Sequence, residues 1–359
     1  MGVRSIDLEV DVTEAAGLGE PAHVALTVTV PDDSGSIRTG GREPLVCFAK
    51  PGAGYSRGYY TNDLPGPGPG KGAQADWHAE RDWIFVSVDH LGVGESSQHG
   101  PDALGFGPVV AASDAAEAEV LQRLAAGRLI GGLGKVEHLV KLGIGQSMGG
   151  GLTVAQQGRF HGYDGVGVLG YGVLGTLPPT APGTPDLVLP WMPRTAVPGE
   201  AVITNGPAVE AAWAGAGVGG LAWGFHFDDV DPAVVARDMD DFPTRKGEMP
   251  PWGSATIPSP LVLWCVGPGA VLVEAAAITA PVLVAMGERD VLVDPRGEVR
   301  AYASSPSVDL YVCPRMAHMH NFAGTREEFW ARIETWGEWV RAWRDARARA
   351  GAGTNGRGL

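Results

Sequence analysis

Six short, mainly apolar runs constrain the fold of this chain more than any other feature of its sequence. Within each run the apolar residues follow one another instead of alternating with polar ones, which is typical of strands covered on both faces. Such strands form mostly parallel sheets that are flanked by helices. The runs are Leu45–Ala49, Trp83–Val88, Leu139–Ile144, Val166–Gly170, Pro281–Met286 and Val308–Val312. The sequence therefore predicts an α/β protein with a mostly parallel central sheet.

Further elements are predicted on either side of these runs. Residues Ile6–Val12 and His23–Val30 alternate apolar and polar side chains, which predicts an antiparallel pair of strands at the entry to the sheet. The Ala-, Glu- and Leu-rich stretch Ala112–Leu129 predicts a helix with Ser113 or Asp114 as its N-cap. Near the C-terminus, apolar residues recur at steps of three and four and predict one buried helix face: Phe329, Ile333, Trp336, Val340 and Trp343.

The interval 173–279 is too long for a simple connection between two strands. It is rich in proline and glycine and contains a predicted helix near Asp231–Met239. We expect it to be a cap inserted over the carboxyl edge of the sheet. The core of the α/β fold would then comprise residues 1–172 and 280–349, followed by a flexible tail, residues 350–359. The interval also carries five tryptophans: Trp191, Trp213, Trp223, Trp252 and Trp264.

The strongest local motif is Gly145-Gln146-Ser147-Met148-Gly149, between a predicted strand and a predicted helix. A serine on such a tight strand-to-helix turn has strained backbone angles, and the flanking glycines leave room for them. The turn would present the Ser147 hydroxyl above the sheet. The N–H groups at the start of the helix would point towards a developing oxyanion. We therefore predict that Ser147 is a nucleophile.

A serine nucleophile needs a base, and the base needs an orienting acid. Asp290 follows the fifth apolar run and His318 follows the sixth, so both would arrive at the carboxyl edge of the sheet together with Ser147. Two alternatives stay open. Asp294 is a second candidate for the acid, and would otherwise be a residue at the start of a helix. His320 is a second candidate for the base, and would otherwise line the pocket or support the base.

The chain resembles a cap-bearing α/β-hydrolase. Residues Asp89-His90-Leu91-Gly92-Val93-Gly94-Glu95-Ser96 are similar to the D-x-x-G-x-G-x-S loop of that superfamily. Ser147 matches its nucleophile elbow, Asp290 its acid and His318 its base. The resemblance covers most of the chain outside the cap. It implies an α/β-hydrolase fold and a Ser-His-Asp hydrolase that forms an acyl-enzyme from an ester or lactone and uses no cofactor.

The resemblance also assigns an oxyanion hole. The superfamily loop usually begins His-Gly, whereas this chain has Lys50-Pro51-Gly52-Ala53-Gly54-Tyr55. Proline removes one N–H donor and leaves the following ones free. We expect the donors to be the N–H groups of Ala53 and Met148, with Gly52 or Gly54 as alternatives to Ala53. Tyr55, Gly52, Gly54 and His320 are expected to contact substrate, and Tyr59 and Tyr60 lie nearby in the sequence.

Several function classes are disfavoured. The net charge is −14 with no basic cluster, which argues against nucleic acid or an anionic membrane as a partner. No metal site is expected, because His318-x-His320 lacks further ligands in a known metal-site pattern. A serine nucleophile argues against dehalogenases and epoxide hydrolases of this fold, whose chemistry needs a carboxylate.

The remaining expectations concern substrate, location and assembly. The Trp- and Pro-rich cap favours a bulky apolar or aromatic small molecule, an ester or a lactone. Alternative functions are a C–C hydrolase or perhydrolase with the same triad, or a non-catalytic receptor. The N-terminus has no apolar signal segment and the three cysteines lack paired spacing, so a cytoplasmic protein is expected. Assembly into a homo-oligomer stays open.

Overall fold

One sheet of eight strands organises the computed structural model, which describes residues 2–33, 37, 42–195 and 219–355. The strands are β1 (Val3–Asp11), β2 (His23–Pro31), β3 (Leu45–Lys50), β4 (Trp83–Val88), β5 (Val140–Gln146), β6 (Gly165–Leu169), β7 (Val282–Arg289) and β8 (Val308–Ala317). Their order in the sheet is β1-β2-β4-β3-β5-β6-β7-β8. Strand β2 is antiparallel to β1 and β4, and all other neighbours are parallel. The predicted α/β architecture and all eight predicted strands are confirmed.

Helices connect the strands and cover both faces of the sheet. They are α1 (Thr13–Ala16), α2 (Gly58–Thr61), α3 (Gln74–Ala79), α4 (Phe106–Ala125), α5 (Met148–Phe160), α6 (Gly219–Phe225), α7 (Pro232–Met239), α8 (Ser259–Cys265), α9 (Leu272–Ala277), α10 (Pro295–Glu298) and α11 (Arg326–Asn355). Short 3₁₀ turns occupy Pro101–Ala103, Val299–Ala301 and His320–Phe322.

The predicted start of the helix after β4 was wrong. Helix α4 begins at Phe106 after the N-cap Gly105, and Ser113 lies buried within it instead of capping it. The sequence signal of a polar N-cap was overridden by packing, because Phe106 and Val109 bury their side chains in the core. The helix also ends earlier than predicted, at Ala125, before Gly127 with a φ of 68°.

The central strands are buried on both faces, which explains their unbroken apolar sequence. Every residue of β3, β4 and β5 is buried. Along β3, Val46 and Phe48 belong to an apolar cluster with α4 and α5, whereas Cys47 and Ala49 belong to a second cluster with α3 and α11. This alternation of sides is the period of an extended strand. The sheet is therefore packed between two layers of helices.

The long interval between β6 and β7, residues 173–279, is called the insertion below and is helical in part. Within residues 173–195 and 219–279, the described portion of that interval, lie helices α6 to α9. Residues 196–218, which include Trp213, lie outside the described residues. No helix of the described chain is long and apolar enough to cross a membrane. Helix α11 continues to Asn355, so the predicted tail of residues 350–359 is helical as far as that residue, and residues 356–359 are not described.

A charged cluster lies in the core beneath β3. Lys50 Nζ contacts Glu117 Oε1 at 2.6 Å, and Lys141 Nζ contacts Glu117 Oε2 at 2.9 Å. The hydroxyl of Tyr163 donates to Glu117 at 2.7 Å. Burial would by itself raise the pKa of Glu117, but the two lysines outweigh it and lower that pKa, so the carboxylate is ionised. Because Lys50 is the last residue of β3, the cluster fixes the strand end from which the loop 51–55 leaves.

This cluster predicts a large and specific loss of stability. Replacing Glu117 by Gln leaves two lysines without their buried counter-charge, and we expect the free energy of unfolding to fall by about 3–5 kcal/mol. Glu119→Gln on the same helix breaks only the partly exposed pair with Arg123, so it should cost about 1 kcal/mol or less. Urea denaturation of both variants measures the difference. Similar losses in the two variants would contradict the interpretation.

Candidate active site

Ser147 occupies a strained turn between β5 and α5. Its φ is 53°, in the left-handed region that residues other than glycine rarely adopt, and its N–H donates to the carbonyl of Leu169 at 2.8 Å. The flanking glycines allow a close approach of backbone segments. An ideal Cβ on Gly145 would lie 2.1 Å from the carbonyl oxygen of Gly149, and one on Gly149 would lie 2.2 Å from that of Lys50. The glycines of the motif are therefore required by packing.

The structure brings Ser147, His318 and Asp290 into one chain of contacts. Ser147 Oγ lies 3.0 Å from His318 Nε2, and His318 Nδ1 lies 2.6 Å from Asp290 Oδ1. The imidazole and the carboxylate are both buried. With the proton on Nδ1, His318 donates to the carboxylate and its Nε2 accepts from the serine hydroxyl. This is the arrangement that activates a serine hydroxyl for attack.

The Asp290 carboxylate is held by four donors. Its Oδ1 also accepts from the N–H of Val291 at 2.7 Å, and its Oδ2 accepts from the N–H of Gly287 at 2.9 Å and from His320 Nε2 at 2.8 Å. Burial would by itself raise the pKa of Asp290, but electrostatic attraction to His318 and His320 and the hydrogen bonds from both rings lower it below its ordinary value. The acid is therefore ionised and fixed in one orientation.

The two open alternatives have distinct places in the structure. His320 contacts Asp290 and not Ser147, and its ring packs at 4.5 Å from that of Phe329. Burial lowers the pKa of His320 despite the contact with Asp290, so this imidazole is neutral at neutral pH. Asp294 caps α10, where its carboxylate accepts from the N–H of Gly297 at 2.9 Å. His318 and Asp290 are thus the histidine and acid that reach Ser147.

The loop that carries His318 is held by residues that the sequence analysis missed. The N–H of His318 donates to the carbonyl of Gly224 at 3.1 Å, and that of Met319 donates to Phe225 at 2.8 Å. The Phe225 ring lies 4.9 Å from the imidazole, and Gln146 Nε2 donates to the carbonyl of His318 at 3.1 Å. Helix α6 therefore supports the imidazole from the side of the long insertion. No sequence motif signals such a contact between backbone groups.

The two residues predicted to supply oxyanion donors lie at the cavity wall beside the serine. Ala53 and Met148 both line the cavity that contains Ser147, and within the described residues neither N–H has a hydrogen-bond acceptor. Gly52 lies next to them, and an ideal Cβ on it would lie 2.3 Å from Gln146 Oε1. Both N–H groups are thus free to donate to an oxyanion, and a side chain at position 52 would require the Gln146 side chain to move.

The start of the loop 51–55 is fixed from below. His90 is fully buried, and its Nε2 donates to the carbonyl of Pro51 at 3.0 Å. The hydroxyl of Tyr60 donates to the carbonyl of Lys50 at 2.9 Å. Burial lowers the pKa of His90 to about 4, although the contact with Pro51 acts in the opposite direction. The sequence analysis quoted His90 within a motif without assigning it this role.

Ser147 opens into an apolar cavity of about 320 Å³. Among the described lining residues there is no Asp, Glu, Lys or Arg, and the polar side chains that face the space include Gln146, Thr176 and Ser259. Much of the wall comes from the long insertion between β6 and β7. Its apolar lining includes Leu189, Leu221, Phe225, Phe242, Val262 and Leu263. The space suits an uncharged apolar group.

Three of the four residues predicted to contact substrate do not line this cavity. Gly52 lines it, whereas Tyr55, Gly54 and His320 do not. Tyr55 is fully buried, and its hydroxyl donates to Asp238 at 2.6 Å. His320 lies behind the acid. Proximity in sequence to the oxyanion loop did not reveal that the tyrosine points away from the cavity.

Comparisons with known proteins find matches only among solved structures. No protein-family model matches the sequence, and no curated protein does either. Solved structures do match. An esterase from Thermogutta terrifontis has a TM-score of 0.57 at 14% identity, covering 93% of this chain and 99% of its own. A proline iminopeptidase from Mycobacterium smegmatis has a TM-score of 0.56 at 15% identity, with 94% and 100% covered.

A peroxisomal alpha-beta-hydrolase from Saccharomyces cerevisiae matches at a TM-score of 0.54 and 14% identity, covering 100% of this chain and 97% of its own. Two of these proteins are named for different reactions, an esterase and an iminopeptidase, and the third is named for its fold. At such low identities the likeness establishes a shared fold, and the chemistry has to be argued from the site itself.

The buried His90 predicts a pH-dependent stability. The unfolded chain binds a proton near pH 6.5, whereas the folded chain resists it until about pH 4, so stability is lost as the pH falls between these values. From pH 7.5 to 5.0 the wild-type protein should lose about 2 kcal/mol more than His90→Gln. Urea denaturation at both pH values measures this, with the exposed His138→Gln as control. Equal losses in wild type and His90→Gln would contradict the assignment.

Proposed function

We propose that this chain, which has the α/β-hydrolase fold, is a serine hydrolase that cleaves a carboxylic ester or lactone of a bulky apolar or aromatic substrate. One observation carries the proposal. Ser147, His318 and Asp290 form a continuous hydrogen-bonded chain, and Ser147 lies at the wall of an apolar cavity beside two N–H groups that have no acceptor among the described residues. These are a nucleophile, a base, an orienting acid and an oxyanion hole in one place.

The first half of the reaction is acylation. His318 Nε2 takes the proton of the Ser147 hydroxyl as Oγ attacks the substrate carbonyl. The carbonyl oxygen becomes an oxyanion and accepts hydrogen bonds from the N–H groups of Ala53 and Met148. The imidazolium formed on His318 is stabilised by the ionised Asp290, which itself keeps no proton. When the tetrahedral intermediate collapses, His318 donates its proton to the leaving alkoxide.

The second half releases the acyl group. A water molecule gives a proton to His318 Nε2 and attacks the acyl-Ser147 carbonyl, and the same N–H groups hold the second oxyanion. Collapse returns the proton to Ser147 Oγ and frees the acid. All proton transfers pass through His318, so neither a metal nor an organic cofactor is needed for this cycle.

The cavity supports the proposed substrate class. Its described lining has no charged side chain, so a free ammonium or carboxylate group on the substrate would lose its hydration without gaining a counter-ion. This favours neutral esters and lactones over peptides with a free N-terminus. We assign the cap function to residues 173–279, whose described parts, 173–195 and 219–279, supply much of the wall. A C–C hydrolase or perhydrolase would use the same residues, and a panel of p-nitrophenyl esters, lactones and diketones distinguishes these activities.

A cytoplasmic location belongs to the same proposal. All three cysteines, Cys47, Cys265 and Cys313, are buried and unpaired, as a reducing compartment permits. The substrate would accordingly be a small hydrophobic molecule, with no nucleic acid or membrane as partner. The chain's oligomeric state is a separate question that size-exclusion chromatography with light scattering answers.

Labelling with a fluorophosphonate tests the proposal. The reagent should modify the wild-type protein and leave Ser147→Ala unmodified, because only an activated serine attacks it at a useful rate. Ser259→Ala removes a hydroxyl from the same cavity, and none of the described hydrogen bonds of His318 involves Ser259, so this variant should be labelled like wild type. A folded wild-type protein that stays unlabelled would instead favour the non-catalytic receptor.

Substitutions of His318 and of His320 should lower kcat by different factors. His318→Ala removes the base and should lower kcat by about 10³-fold or more. His320→Gln weakens only the support of Asp290, so kcat should fall by about 10-fold with KM unchanged, since His320 does not line the cavity. Steady-state kinetics with the best p-nitrophenyl ester measures both. A mild effect of His318→Ala beside a severe one of His320→Gln would overturn the assignment of the base.

A further inference from the structure

Asp238, near the end of α7, is the centre of a buried polar cluster outside the triad. It is fully buried and accepts from four side chains. Tyr55 Oη and Trp252 Nε1 each lie 2.6 Å from its carboxylate, His226 Nε2 lies at 2.9 Å and Arg245 Nη2 at 3.0 Å. Burial would by itself raise the pKa of Asp238, but His226 and Arg245 lower it below its ordinary value. The cluster therefore contains a buried ionised carboxylate that the triad does not use.

Arg245 connects this cluster to the oxyanion loop. Its guanidinium is buried, and while Nη2 binds Asp238, Nη1 donates to the carbonyl of Gly54. Its planar group also lies over the Tyr55 ring at 4.8 Å and over the Phe242 ring at 5.4 Å. A guanidinium can make all these contacts at once because its donors have a fixed fork geometry.

Gly54 is adapted to this close contact. Its φ is 80°, and an ideal Cβ on it would lie 2.8 Å from the carbonyl oxygen of Pro243 in the insertion. The N–H of Ser254 also donates to the Gly54 carbonyl, at 3.0 Å. The end of the loop 51–55 is thus fixed from the insertion, whereas its start is fixed from the core by His90. Ala53, with its proposed oxyanion donor, lies between these two attachments.

We propose that Arg245, held in place by Asp238, is a positioning residue that fixes the oxyanion loop and thereby the direction of the Ala53 N–H. The inference rests on the proposed function and deepens it, because it assigns part of the oxyanion geometry to the insertion. Neither Arg245 nor Asp238 lines the cavity. Loss of the contact should therefore weaken stabilisation of the transition state more than substrate binding.

Two substitutions separate this role from general packing. Arg245→Met keeps the bulk and removes all donors. Arg245→Lys keeps the charge beside Asp238, but its single ammonium cannot reproduce the fork that contacts both Asp238 and Gly54. Lys246→Met is the matched control, because it removes the neighbouring, exposed cation of the same segment. The enzyme is the full chain, and the substrate is the p-nitrophenyl ester that wild type cleaves fastest.

Both Arg245 variants should lose at least about 10-fold in kcat, approaching the 10²-fold typical of a lost oxyanion donor, with KM within about twofold of wild type. The rate of labelling by a fluorophosphonate should fall in parallel with kcat, because its phosphoryl oxygen accepts hydrogen bonds from the same N–H groups. The shape of the pH–rate profile should stay unchanged, because the contacts of His318 are intact. Lys246→Met should keep wild-type kinetics.

Two results would overturn the inference. One is an unchanged kcat in folded Arg245 variants, and the other is a raised KM with kcat unchanged, which would make Arg245 a residue that shapes the cavity. If circular dichroism finds Arg245→Met unfolded, Arg245→Lys decides. The proposed function is tested separately: labelling of wild type that disappears in Ser147→Ala leaves the hydrolase in place even when Arg245 proves irrelevant.

Discussion

The hydrogen-bonded chain from Ser147 through His318 to Asp290 is the interaction on which the account of this protein depends. Each member follows a strand of the same parallel sheet, β5, β7 or β8, and the carboxyl ends of these strands lie at one edge. Residues far apart in sequence therefore meet without a long excursion of the backbone. The ionised Asp290 orients the His318 ring. Because the buried carboxylate is itself fixed by four donors, it keeps the imidazole directed towards the serine.

The insertion contributes more than a cover to this site. Helix α6 accepts the backbone N–H groups of the loop that carries His318, and Arg245 binds the carbonyl of Gly54 in the oxyanion loop. The core of the protein contacts the same two loops from the opposite side: Asp290 binds His318, and His90 binds the start of the loop 51–55. The geometry that we propose for catalysis thus depends on contacts between two parts of the chain, and substitutions far from the cavity are expected to change rate without changing binding.

The sequence predicted the sheet, the elbow and the three residues that meet, because each has a local signal: an apolar run, a glycine pair, or a polar residue just after a strand. It did not predict the start of α4, where core packing of Phe106 replaced a polar cap. It also placed Tyr55 at the substrate, whereas the buried Asp238, over 180 positions away, binds its hydroxyl. Partners of that kind arise from tertiary packing, which periodicity and spacing along one chain do not encode.

The covalent intermediate is the central claim, and rapid-quench mass spectrometry tests it most directly. Wild-type protein mixed with an excess of a p-nitrophenyl ester and quenched in acid within the first turnovers should gain the mass of one acyl group. After trypsin digestion, that mass should reside on the peptide of residues 142–159, which contains Ser147. Turnover of the ester with no acyl group on this peptide, or with the acyl group on another residue, would contradict the account.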